Sequence, residues 1–359
     1  MNFVFRPAVP IFALQTIKSY KMISRLSVHK VGNKSENEYI FLSKGNLQTS
    51  EAILQMLSSY FLAPFKSEEF YQFHHDSSLS LNEVYTFATA IFDDPEALHE
   101  QSLHLARHLY NQSTHPKIKG GEFYVVYFNE CLLHGEIINA VGLFKSENKD
   151  TFLKVFPQGE NFEIETEQGI NINKLDKGCI VYNSEKENGY VISVVDNTNK
   201  GTEAQYWTDD FLQIRQRQDQ YFNTENTLAV YKDFITKKLP EEYELTKADQ
   251  ADMLNRSIQF FKDKDSFELE EFSQSVLHHP EYISGFSNYK RQYEEERDIE
   301  IADAFDISDA AVKRQARNYK SVIKLDKNFH IYVHGDRNMI EQGEDNKGRF
   351  YKIYFENET

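Results

Sequence analysis

The run from residue 120 to residue 156 constrains the fold more than any other part of the chain. Val, Tyr, Phe and Ile dominate residues 122–128, 136–144 and 151–156, and such side chains favour a pleated, packed surface. Polar breaks at residues 129–135 and 145–150 separate the three runs. Strands joined by connections this short pair as neighbours, which predicts a central antiparallel meander. The second break, Lys145-Ser146-Glu147-Asn148-Lys149-Asp150, puts two lysines at a strand end, where functional loops are displayed.

The flanking sequence mixes strand and helix periods. Residues 25–30 and 39–43 read as strands joined through Gly32-Asn33-Lys34-Ser35-Glu36-Asn37. Ser50 opens a helix to residue 61, with Ile53, Leu54, Leu57 and Phe61 at helical spacing and Pro64 beyond its end. Residues 81–92 and 95–111 read as two more helices. Strands are expected at 161–166, 178–182 and 189–196, followed by a helical segment at 204–214 whose Trp207 plugs the sheet. A helix at 224–238 is expected to stop before Pro240. From 241 to 309 the chain turns helical and acidic, with Thr246 and Ser308 as caps and Glu294-Glu295-Glu296 as a solvated face. Strands at 320–325, 329–333 and 350–355 end the chain.

The expected fold class is therefore α+β. A mainly antiparallel sheet with flanking helices fills the N-terminal part. An acidic helical C-terminal part ends in a small antiparallel sheet. The expected domains are residues 24–239 and 240–359, with a boundary near Leu239-Pro240. Residues 1–23 read as a poorly ordered extension, or as lying upstream of a true start at Met22.

The formal net charge of −16 excludes a surface that is basic throughout. A local cationic patch is still allowed, because salt screens charges beyond about 8–10 Å. Lys313, Arg314, Arg317, Lys320 and Lys324 gather around a helix end and the start of a strand, with 313, 317 and 320 near one helical face. Lys145, Lys149 and Lys154 form a second group on the meander, interleaved with Phe144, Phe152 and Phe156. Either group can neutralise phosphates, with affinity that falls as salt rises. The plainer account of the first is cations favoured near a helix C-terminus. For the aromatic residues it is core packing rather than base stacking.

Glu147-Asn148-Lys149 has the E-x-K form of one class of metal-dependent nucleases, which would need an acidic partner such as Glu136 or Asp196 to hold magnesium. A polar turn explains the same residues. His104 and His108 stand at i, i+4, a spacing that can hold zinc, but the segment from His99 is one residue too long for H-E-x-x-H. Surface histidines are the simpler account. Cys131 and Cys179 are far apart, which implies no disulfide framework and a reducing, cytoplasmic setting. Phosphate-binding glycine loops and a G-x-S-x-G elbow are absent from the sequence. No stretch approaches ~18 apolar residues. No catalytic residue, metal site, cofactor or membrane contact is expected.

Several phrases carry a resemblance when taken in order. They are His29-Lys30-Val31-Gly32-Asn33-Lys34, Pro64-Phe65-Lys66, Leu81-Asn82-Glu83-Val84-Tyr85 and Ile118-Lys119-Gly120-Gly121-Glu122. Ala140-Val141-Gly142-Leu143-Phe144-Lys145-Ser146-Glu147-Asn148 follows, then Asp196-Asn197-Thr198, Tyr206-Trp207-Thr208-Asp209-Asp210-Phe211-Leu212 and Phe350-Tyr351-Lys352-Ile353-Tyr354-Phe355. From about Ser24 onward the chain resembles the bacterial nucleoid-associated protein family typified by NdpA/YejK, in its Bacteroidetes-type form. The resemblance implies a non-catalytic cytoplasmic protein located with the nucleoid that binds or organises chromosomal DNA. It brings no established DNA-contacting residues to positions here. It also leaves room for a scaffold recruited by a protein partner, such as a topoisomerase or chromosome-organising complex. An acidic surface would steer a basic partner of that kind. An exposed sheet edge would allow a homodimer.

Overall fold

Alternate residues of the central strands enter two different cores, one on each side of a sheet. The structure, a computed structural model, describes residues 22–198, 206–319, 322–325, 328–332, 339–355 and 357. The chain divides into two units, Met1–Lys66 with Phe70–Arg215, and Ser67–Glu69 with Gln216–Thr359.

The first unit runs β1 (Ile23–Val31), β2 (Ile40–Phe41), α1 (Glu51–Leu62), β3 (Tyr71–Phe73), α2 (Glu83–Asp93), α3 (Leu98–Gln112) and β4 (Gly121–Leu133). It continues with β5 (Glu136–Ser146), β6 (Asp150–Gln158), β7 (Asn161–Gly169), β8 (Lys177–Tyr182), β9 (Val191–Asp196) and β10 (Ile214–Gln216). An eight-stranded sheet has the order β10-β3-β9-β8-β5-β4-β1-β2. Its pairs from β3 to β2 are antiparallel. On β4, Phe123, Val125 and Tyr127 join one core with residues of α2 and α3, while Tyr124, Val126 and Phe128 join another with α1. This period of two, with both faces covered, is why the sequence reads as an unbroken apolar run. Fully burying each such side chain contributes about 1.5–3 kcal/mol. Trp207 is buried in the first core beside Phe211, at a ring separation of 5.0 Å, as the plug expected of it.

The third strand of the expected meander leaves the sheet. β5 pairs with β8 instead, and β6 pairs with β7 as a separate hairpin from Asp150↔Gly169 to Gln158↔Asn161. The sequences explain the exchange. A central place between two covered faces requires side chains that tolerate burial on both sides, and β8 is buried at every position. β6 and β7 carry Lys154, Glu163, Glu165 and Glu167 at alternate positions and remain almost wholly exposed.

The helix starts follow local capping. Ser50 accepts from the Ile53 N–H ahead of α1, and Asn82 accepts from the Tyr85 N–H ahead of α2. Gly121 has a packing reason: a Cβ there would overlap the Ser146 carbonyl across the β4–β5 pair.

The second unit holds α4 (Gln220–Asp233), α5 (Leu239–Glu242), α6 (Lys247–Asp263), β11 (Ser266–Glu268), α7 (Leu269–Leu277), α8 (Pro280–Arg297), β12 (Ala304–Asp306) and α9 (Asp309–Ala316). Short hairpins follow, β13 (Val322–Leu325) with β14 (Phe329–Tyr332) and β15 (Ile340–Asp345) with β16 (Gly348–Ile353). Thr246 and Ser308 cap α6 and α9 as expected. The division at Arg215 lies ahead of the composition change at Leu239-Pro240, because α4 gives Leu228, Val230 and Tyr231 to the second core. Pro240 sits in the first turn of α5, where its missing N–H breaks no bond, so the helical path runs past it. β15 is too polar, as IEQGED, to read as a strand from sequence.

His29 on β1 is buried against α3. The Ser43 N–H donates to its Nδ1 at 3.1 Å, so Nε2 carries the proton and donates to Ser102 Oγ at 2.8 Å. Burial, then the charges of His99 and Arg107, lower its pKa from the usual 6.5 to about 4. Between those values the folded protein binds fewer protons than the unfolded chain. The stability that neutral His29 contributes is therefore complete above about 6.5 and is lost as pH falls toward 4. His29→Gln is expected to flatten the fall in melting temperature over this range, read by circular dichroism in a pH series. Gly121→Ala is expected to lower stability by about 1–3 kcal/mol in urea unfolding, the usual cost of overpacking.

Candidate nucleic-acid interface

Antiparallel register sets Lys145 of β5 opposite Lys177 of β8, and Lys177 opposite Asp196 of β9. Like charges directly opposite on a sheet repel, and both lysines are 0% exposed. Three groups hold them there. Glu147 Oε1 lies 3.0 Å from Lys145 Nζ, and Asp196 Oδ2 lies 2.6 Å from Lys177 Nζ. The Tyr206 ring centroid is 5.4 Å from one ammonium and 5.2 Å from the other, within cation–π range. Tyr206 Oη donates to Glu147 Oε1 at 2.7 Å and accepts from Lys145 Nζ at 3.0 Å. Lys145 also donates to the Lys119 carbonyl at 2.8 Å, and Lys177 to Thr198 Oγ1 at 2.7 Å. Burial pushes the Lys145 pKa down, Glu147 opposes that, and Lys177 adds to the lowering. Burial, then Glu147, raises the Tyr206 phenol well above its usual value.

Glu147 and Thr198 also line a cleft of about 920 Å³ in the first unit. Its charged lining is Lys66, Lys117, Lys119, Lys149 and Lys174 against Glu147, Asp150 and Asp176. The carboxylates are engaged within the protein. Asp176 accepts from the Glu147 N–H at 2.6 Å, the Asn148 N–H at 2.9 Å and Asn148 Nδ2 at 2.7 Å. Asp150 accepts from Asn171 Nδ2 at 2.7 Å. Lys119 reaches Asn148 Oδ1 at 2.7 Å. Lys66 and Lys174 are exposed and make no ion pair among the described residues. Cations therefore outnumber anions at the rim of this cleft, in a chain whose formal charge is −16.

The sequence-predicted residues fall in several places. Lys149 is at the cleft and pairs with Glu122. Lys145 is not a surface cation: it is buried and bound to Glu147, because both faces of β5 are covered at this end of the strand and neither reaches solvent. Lys154 is on the exposed β6, 3.8 Å from Glu167. Lys313 and Arg317 are exposed and unpaired among the described residues. Arg314 is held by Glu69, by Glu225 at 3.6 Å and by Tyr221 Oη at 2.8 Å. Lys324 is on β13, and Lys320 lies outside the described residues. The five-residue basic cluster thus loses Arg314 to local carboxylates.

The residues of the E-x-K reading do not assemble a metal site. Glu147 is taken by Lys145 and Tyr206, Lys149 by Glu122 and Asp196 by Lys177, while Glu136 opens the opposite end of β5. Among the described residues no group of three His, Cys, Asp or Glu side chains is placed to hold a metal ion. His108 is buried, paired with Glu83 and bonded to the Phe211 carbonyl at 3.1 Å, so it is a core residue and not a surface histidine.

Lys66, Lys117, Lys174, Asp176, Lys177 and Tyr206 escaped the sequence reading as site residues. The signal was present in another form. Pro64, Lys66, Lys119, Glu147, Asn148, Asn197 and Thr198 line the cleft, with Lys145, Asp196 and Tyr206 in the network bonded to it. All of them stand in the phrases that carry the family resemblance. A family model described as nucleoid-associated protein YejK matches residues 27–348. The chain belongs to this family. Membership puts it among nucleoid-associated proteins, and an α+β fold with large and small antiparallel sheets is present as expected. Comparison with curated proteins found no match. Among the described residues, no helix is long and apolar enough to cross a membrane.

Lys145→Met would leave Glu147 buried without its cation. The expected loss is about 3–5 kcal/mol in urea unfolding, as for other broken buried pairs. Lys145→Met with Glu147→Gln is expected to recover part of it.

Proposed function

We propose that the chain attaches to the nucleoid by direct, non-catalytic contact between its lysine-rimmed cleft and DNA phosphates. The observation that carries this reading is a cleft where cations exceed anions, in a chain that belongs to a nucleoid-associated family. Lys66, Lys119, Lys149 and Lys174 are the proposed contacts. Lys313 and Arg317 are a further exposed pair in the second unit. Contacts of this kind position a nucleic acid without reading its sequence.

Recruitment by a protein partner, such as a topoisomerase or chromosome-organising complex, is the second reading. The formal charge of −16 and the capture of Lys149 and Arg314 by carboxylates favour it. A salt-titrated binding assay with supercoiled, linear and single-stranded DNA separates the two. Direct attachment predicts binding by purified protein with a steep salt dependence. Lys66→Ala, Lys119→Ala and Lys174→Ala together are then expected to reduce the log–log salt slope by about 2–3, at roughly 0.9 per phosphate contact. A folded triple variant with an unchanged slope would remove the cleft. Absence of DNA binding by the unmodified protein would leave recruitment as the account.

A further inference from the structure

The lysine-rimmed cleft does not end at its charged lining. Ala63, Pro64 and Asn173 also border a second pocket of about 370 Å³, walled by Met56 and Tyr60 of α1 and by Ile172 between β7 and β8. The two cavities thus form one continuous surface within the first unit. Their linings differ in kind. Among the described residues the cleft has no aromatic side chain, so bases have nothing to stack on where the phosphates sit. Among the described residues the second pocket carries no charged side chain. Met56 is 50% exposed and Ile172 48%. Tyr60 is buried and bonded through Oη to Ser146 Oγ at 2.7 Å, which makes it a fixed wall. Lys66 follows Pro64 by two residues and Lys174 follows Asn173 directly, so cations stand beside the apolar pocket.

We propose that this pocket takes one unpaired base of a single DNA strand whose phosphates lie on Lys66 and Lys174. The proposal rests on the reading of the cleft as a DNA-phosphate site and adds which form of DNA it takes. A ligand that fits both cavities needs an anionic part joined to a flat, weakly polar part. A nucleotide has that make-up. A volume at the low end of the roughly 300–1,000 Å³ of small-ligand pockets suits one base and not a stack of several. Asn173, exposed on the shared rim, carries an amide that can donate to and accept from a base edge. A duplex keeps its bases paired and stacked, so it can lay only its backbone along the lysines and leaves the apolar pocket empty. Turning a base out of a duplex costs unstacking and unpairing that a single strand does not incur. The cleft therefore binds a single strand more tightly than a duplex of equal length.

Fluorescence anisotropy of the full chain with a short oligonucleotide, its blunt duplex and an abasic strand of the same length tests this at physiological salt. The abasic strand keeps the phosphates and lacks the bases. The intact strand is expected to bind about 10-fold more tightly than the abasic one, and more tightly than the duplex. Met56→Ala with Ile172→Ala is expected to lower single-strand affinity about 10-fold and to leave duplex affinity and both salt slopes unchanged, since no phosphate contact is lost. Both side chains are half-exposed, so the melting curve of this variant should match that of the unmodified protein. Lys66→Ala with Lys174→Ala is expected to weaken both forms. Equal binding of intact and abasic strands by the unmodified protein overturns the proposal, as does tighter binding of the duplex. Binding of free deoxyadenosine monophosphate as tight as that of the strand also overturns it. In each of these cases a salt slope that still depends on the lysines leaves the cleft as a phosphate site. Indifference of every DNA form to the lysine changes removes the cleft and the base pocket together.

Discussion

Two ammonium groups buried side by side would expel each other from the sheet without the phenol and carboxylates around them. Lys145 and Lys177 occupy neighbouring strands at the same level, so the register of β5 with β8 and the position of Tyr206 are mutually dependent. A one-residue slip would turn either lysine to the opposite face and break its pairing. The network contributes little net stability, since desolvating each charge offsets most of the attraction. What it fixes is geometry: Glu147, Asn148 and Thr198 are held where the cleft needs them.

The same bonds explain how an anionic chain keeps a cationic rim. The buried Lys145 ammonium offsets the charge of Glu147, leaving less negative charge to oppose the lysines facing solvent, while Asp176 is held in place by the Glu147 and Asn148 N–H groups. Salt screens carboxylates more than about 8–10 Å from these lysines. Net charge is therefore a poor guide to this cleft, whose lining is drawn from widely separated stretches of sequence.

Much of the fold was legible because local and tertiary preferences agree. Ser50, Thr246 and Ser308 cap helices where their spacing from apolar residues implies. The strand content of residues 122–144 follows from β-branched and aromatic side chains that both cores can use. Pairing was less legible. β6 has strand-like composition, yet only comparison with β8 reveals which one tolerates burial on two faces. The candidate site was legible as phrases but not as chemistry. Lys145 reads as a surface cation until both faces of β5 are seen to be covered, and Lys66 and Lys174 carry no local pattern that sets them apart from other lysines.

The hairpin also bears on how the sheet assembles. β5 must find β8 across the segment from Ser146 to Lys177. A hairpin closes on its own within microseconds, and closure here ties Asp150 to Gly169. The chain left to be ordered is then about a third as long, which lowers the entropy cost of joining β5 to β8 by about 1 kcal/mol. An arm that lends nothing to either core thus shortens the path by which the middle of the sheet comes together.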